Sequence, residues 1–102
     1  MDMFLVRARD DAPAQAIEEI AEYAAQHGGL VLMATAAGSL VLGMPPGGKD
    51  VLERHPQIGF VGGVALDPSK PGARALHQQF ALNAALQLVG RGDITGQEQA
   101  KR

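Results

Sequence analysis

Apolar positions change period several times along the chain, and each change marks an element. Met3 to Arg9 (MFLVRAR) starts as a continuous apolar run and ends alternating, with Phe4 and Val6 opposite Leu5. That predicts a strand apolar on both faces, and so central in its sheet. From Ala14 to His27 the period is helical: Ile17, Ile20, Ala21 and Ala24 share one side, while Glu18, Glu19, Glu22 and Gln26 face away. Asp10 or Asp11 is the expected N-cap, with Pro13 in the first turn, and Gly28-Gly29 the expected stop. His27, in the last turn, suits the carbonyl end of the helix.

Leu30 to Met44 (LVLMATAAGSLVLGM) is two short apolar runs around Ala36-Ala37-Gly38-Ser39, a hairpin pattern. Pro45-Pro46-Gly47-Gly48 then leads into a short helix from about Lys49 to Arg54. Val51 and Leu52 point inward there, and His55-Pro56 ends it. Gln57 to Asp67 reads as the last strand, with Ile58, Phe60, Gly62, Val64 and Leu66 on one face and Gly59, Val61, Gly63 and Ala65 on the other. Gly62 and Gly63 predict a bulge or a close backbone approach. After the turn cluster Asp67 to Gly72, Ala73 to Val89 is helical with two apolar stripes. One is Leu76, Phe80, Ala84 and Leu88; the other is Leu82, Leu86 and Val89, with Ala81 and Ala85 between them. Apart from Arg74 its polar residues are uncharged, so both stripes call for cover.

Strand, helix, strand, strand, helix, strand predicts an α+β, ferredoxin-like βαββαβ antiparallel sheet with two helices on one face. Right-handed crossovers place the first and third strands in the middle. The domain is expected over residues 1–89, including the added helix at about 73–89, with 90–102 a disordered polar tail. The expected core is Leu5, Ile17, Ile20, Leu32, Val41, Leu52, Ile58 and Phe60, gathered between sheet and helices.

Composition narrows the function classes. Apolar residues make up 46% of the 102 and charged residues 20%, a globular balance. A net charge of −2 gives no electrostatic footprint for nucleic acid, and four aromatic residues give few stacking platforms. With no cysteine, disulfides and thiolate metal sites are excluded. No apolar run reaches membrane-spanning length and the opening residues lack a signal pattern, so a cytoplasmic protein is expected.

Several of these phrases also resemble a known family. The FLVRAR strand from Phe4, the acidic helix ending in Gly28-Gly29, and LERHPQIGFV from Leu52 to Val61 are similar to the subtilisin-propeptide, or inhibitor I9, family. The likeness spans Phe4 to Val61. It implies the same ferredoxin-like fold and a protein partner, a protease or another client, that the domain inhibits or helps to fold. Here Gly62-Gly63-Val64-Ala65 stands where the family carries acidic residues, and an apolar helix stands where it carries an extended tail.

Two readings follow. The first is a cofactor-free, non-catalytic protein-binding module that also homo-oligomerises, with Leu82, Leu86, Val89, Gly62 and Gly63 as partner-binding residues. The alternative is a small dimeric α+β barrel-type enzyme, cyclase, isomerase or monooxygenase-like, with a pocket between sheet and helices. Its candidate catalytic residues are His77, His55 and Tyr23, with His77 expected to be buried and hydrogen-bonded. Asn83 and Gln87 are expected to orient a ligand or to pair across a dimer. The histidines show no metal-ligand spacing, so no metal is expected.

Overall fold

The structure, a computed structural model, describes residues 1–90. The elements are β1 (Asp2–Ala8), α1 (Ala16–Gln26), β2 (Leu30–Ala34), β3 (Ser39–Met44), α2 (Gly48–Glu53), β4 (Ile58–Val64) and α3 (Ala73–Gly90). The four strands form one sheet in the order β2-β3-β1-β4, each neighbouring pair antiparallel. This is the ferredoxin-like order, with β1 and β3 central. The expected tail lies, from residue 91 on, outside the described residues.

Helices lie on both faces of the sheet, and register decides which side chain goes where. Phe4 stands opposite Leu42 and Leu5 opposite Val41. Phe4, Val6, Leu40, Leu42 and Met44 therefore share the face that packs on Ile20 and Ala24 of α1 and Leu52 of α2. Leu5, Val41, Leu30 and Leu32 take the other face, beneath Phe80 of α3. All six residues of β3 are buried.

The expected core mixed these two faces. Ile17, Ile20, Leu52 and Ile58 do lie on the α1/α2 side, but Leu5, Leu32 and Val41 lie on the α3 side. Central strands that are apolar on both faces carry no alternation to say which face meets which helix. Phe60 is not in the core at all, being 51% exposed. A bulge moves it: Ala8 pairs with Ile58 but Arg7 pairs with Phe60, leaving Gly59 as the extra residue. One inserted residue reverses the alternation, so Ile58 joins the α1/α2 side while Phe60 emerges on the other. The bulge expected at Gly62-Gly63 is thus at Gly59, where a Cβ would lie 3.1 Å from the Arg9 Cα.

The ends of α1 show why its flanking residues are what they are. Ala12 N–H donates to the Arg9 carbonyl at 3.0 Å, so Asp10 and Asp11 form a turn instead of the expected cap. The helix starts later, after Gln15, which makes no side-chain cap. At the other end Gly28 N–H donates to Ala25 O at 3.1 Å and Gly29 N–H to Ala24 O at 2.8 Å, the Schellman pattern. Gly28 takes the required left-handed conformation, φ 83°. A Cβ at Gly29 would come within 3.1 Å of the Gly43 carbonyl, so that glycine lets the helix end close on β3.

Past β4, the Asp67 carboxylate accepts from the Ser69 hydroxyl at 2.7 Å and from its backbone N–H at 2.9 Å. These two bonds hold its carboxyl below the usual carboxylate range and fix the turn that sends the chain toward α3. Ile20, fully buried between α1 and the sheet, is the sharpest probe of the layer on that side. Ile20→Ala should cost about 2–5 kcal/mol in a urea titration, through lost burial and the cavity left behind. A variant as stable as wild type would contradict the packing of α1 on the sheet.

Candidate functional site

The second face of the sheet is where the structure departs from a simple two-layer domain. α3 packs there on the edge strand β2. Phe80 is buried among Leu30, Leu32 and Val41, and Ala84 and Leu88 pack around it. One flank of the helix is bonded to the strand itself. Asn83 Nδ2 donates to Leu32 O at 2.6 Å, and Gln87 Oε1 accepts from Val31 N–H at 2.6 Å. Gln87 Nε2 donates back to Val31 O and also to Asn83 O, the latter at 2.9 Å.

One glutamine amide thus donates to and accepts from one residue of an edge strand, as a neighbouring strand would. An open row of backbone groups invites pairing with other chains, and here it is closed by side chains. Asn83 and Gln87 are therefore spent inside the monomer, and the expectation that they orient a ligand or bridge a dimer is corrected. Their spacing of four, beside Phe80 and Ala84, was the available signal.

The remaining sides of α3 face elsewhere. At about 100° per residue, Leu82, Leu86 and Val89 lie on the side away from Phe80. They are 53%, 62% and 37% exposed, the second apolar stripe finding no cover among the described residues. Leu76, expected to pack with Phe80, is 39% exposed instead, because it precedes the stretch that lies on β2. From Ala75 to Gly90 there is no Asp, Glu, Lys or Arg. Ala81 and Ala85 are on the flank opposite Asn83 and Gln87, so they face across the sheet toward β1 and β4.

There the sheet face is only partly covered: Met3 and Leu5 of β1 pack against the Phe80 cluster, whereas Arg7 and Phe60 are exposed. Cross-strand pairing sets Arg7 beside Phe60 and Leu5 beside Gly62 on that face. A Cβ on Gly62 would lie 2.8 Å from Cζ of Phe60, so the ring lies down along β4 over the glycine. A Cβ on Gly63, one residue on and on the other face, would meet nothing within 4 Å. The two glycines expected to act together therefore differ: only Gly62 is part of this surface. Phe60, Leu5, Arg7, Arg9, Asp11 and Gly59 line an open groove of about 930 Å³, with Arg9 Nε 3.4 Å from Asp11 Oδ1. Sequence reasoning missed Phe60 and Arg7 here because the bulge at Gly59 was not visible.

The candidate catalytic residues are only partly assembled. Tyr23 and His55 meet edge to face with ring centroids 4.7 Å apart, and His27 lies 4.4 Å from Tyr23 on its other side. Tyr23 O–H donates to Val51 O at 2.7 Å, tying α1 to α2. His27 Nδ1 bonds Tyr23 O at 2.8 Å, and His55 Nδ1 accepts from Gln57 N–H at 3.1 Å. These rings thus secure a helix end and a turn, beside an acidic groove of about 400 Å³ lined by Glu18, Glu19 and Glu22. His77 is on α3, across the sheet from them and exposed, where burial was expected. The layer between the sheet and α1/α2 is filled by Phe4, Val6, Leu42, Met44, Ile20 and Leu52.

Among the described residues no three His, Asp or Glu side chains gather in a metal-holding group, and no helix is long and apolar enough to cross a membrane. The chain matches no family model, and the comparisons with curated proteins and with solved structures found no match either.

The β2 edge gives a direct check. Gln87→Leu removes both partners of Val31, at a cost of about 1–2 kcal/mol. Hydrogen exchange at the Val31 amide should then accelerate by roughly tenfold while Leu42, inside the sheet, keeps its protection. Unchanged exchange at Val31 would contradict the bond.

Proposed function

We propose that this chain is a non-catalytic protein-binding module, a cytoplasmic inhibitor or folding chaperone of the subtilisin-propeptide kind. One observation carries the reading: the charge-free outer side of α3 and the open β1–β4 half of the sheet are neighbours on one face. Leu82, Leu86, Val89 and Phe60 are large apolar side chains that water touches there. Contiguous apolar surface of this sort marks protein–protein sites on soluble domains. Its polar groups, Arg7 and the Arg9–Asp11 pair, lie at one end, where a rim can orient a partner without being desolvated.

The two sheet edges support the same reading. β2 is closed by Asn83 and Gln87, whereas β4, an edge strand, pairs among the described residues with β1 alone. An extended segment of a partner can add there, with Phe60 beside it as an anchor.

A subtilisin-class serine peptidase is the first partner to test. The chain should form a one-to-one complex on size-exclusion with light scattering and suppress hydrolysis of a chromogenic peptide. Phe60→Asp should weaken both by at least tenfold, about 1.4 kcal/mol. Absence of both complex and inhibition at micromolar concentrations would overturn the propeptide-like reading.

A further inference from the structure

We infer that in the free protein this face is occupied by a second copy of the same chain. The two copies stack sheet face to sheet face about a two-fold axis, and each α3 fills the open β1–β4 half of its partner's sheet. The inference rests on the protein-binding reading of this surface and names its resident partner.

Width is the first argument. Strands about 4.8 Å apart and a helix about 10 Å across mean that one helix covers about two of four strands. α3 sits at the β2 side; Met3 and Leu5 of β1 pack against its Phe80 cluster, and the strip beyond them, with Arg7, Phe60 and Gly62, is left for a second helix. Leu66, packed against the α3-side core, closes one end of the strip. About six residues of strand remain, roughly 20 Å, against about 27 Å of helix.

The sides of α3 fit this arrangement. Phe80 and Ala84 face its own sheet, and Leu82, Leu86 and Val89 face upward, where the partner's sheet would lie. Beyond Arg74 and His77 in the first two turns, the flank toward the strip carries Ala81 and Ala85, small enough for the partner's helix to lie close alongside. Each helix would then have its own β2–β3 half below and the partner's β1–β4 half above.

Charge agrees, and area comes close. A two-fold contact sets like beside like, so a charged stripe would repel itself, and Ala75 to Gly90 carries no fixed charge. The strip offers about 200 Å² and the top of the helix about 270 Å², so two copies bury about 940 Å² in projection, just under the roughly 1,000 Å² at which specific interfaces begin. Arg7 stands at the margin, where its stem can lie along Phe60 with the guanidinium in water.

Sedimentation velocity across a wide concentration range tests this, with circular dichroism and urea titration as controls on folding. Wild type should be a dimer. Leu82→Glu with Leu86→Glu should weaken it by at least tenfold, and so should Phe60→Asp, which lies on a different element. Leu86→Gln, milder for the fold, should weaken it in the same direction. A dimer that survives Phe60→Asp while dissociating with the α3 variants would overturn the reciprocal packing, as would a wild type that stays monomeric. If that monomer still captures the peptidase, the binding module stands without the dimer. A dimer that captures no peptidase leaves this inference standing and removes the propeptide-like reading instead.

Discussion

The complete burial of β3 is the constraint on which the rest of the structure depends. A strand with Leu40, Leu42 and Met44 on one face and Val41 on the other needs cover over itself on both faces of the sheet. Two crossover helices cover the first face, as the βαβ connections require. The second face needs a further element, and α3 is the one among the described residues that supplies it. A single helix is too narrow for four strands, so covering β2 and β3 leaves β1 and β4 open. Phe60 lying flat on Gly62 is a partial remedy, since an aromatic ring shields a glycine but itself remains half in water.

Where α3 sits follows from its amides as much as from its apolar side chains. Phe80, Ala84 and Leu88 would be equally content over the middle of the sheet. Asn83 and Gln87 find free backbone groups only at an edge, and Val31 and Leu32 provide them. A hydrogen bond to an otherwise open strand edge is directional in a way that burial is not. The helix is thereby pulled to β2, the β2 edge is closed to other chains, and the β4 edge and its face become the exposed side of the molecule. Absence of fixed charge from Ala75 to Gly90 matters for the same reason, because two sides of that stretch need apolar surroundings at once.

Element order and strand order were legible because crossovers and hairpins leave few alternatives, and Gly28-Gly29 was legible because a Schellman stop needs a particular residue type. Which face of β1 met which helices was not, since Phe4, Leu5 and Val6 are all apolar. The bulge at Gly59 was not visible either: three glycines stood in that strand, and the deciding contact, with the Arg9 backbone, is made by a residue fifty positions away. The exposure of Leu82, Leu86 and Val89 was legible because one helix cannot bury two apolar stripes against one small sheet. The roles of Asn83 and Gln87 were missed because a neutral amide in sequence looks the same whether it meets a ligand, a partner or a strand edge. Tyr23 and His55 do come together as candidate residues, but their bonds to Val51 and Gln57 are those of packing between α1 and α2.

The proposed completion of the second face of the sheet by a partner's helix is open to a direct distance measurement. Because the chain has no cysteine, one spin label can be attached at a chosen point without competing sites. Gln78→Cys, on the outer side of α3, carries the nitroxide, and the labelled chain is mixed with unlabelled-spin, nitrogen-15 wild type. Broadening of the wild-type Phe60 and Gly62 amide resonances, with those of Glu18 and Glu22 across the sheet unaffected, is the predicted result. Broadening restricted to α3, or none between copies at all, would contradict it.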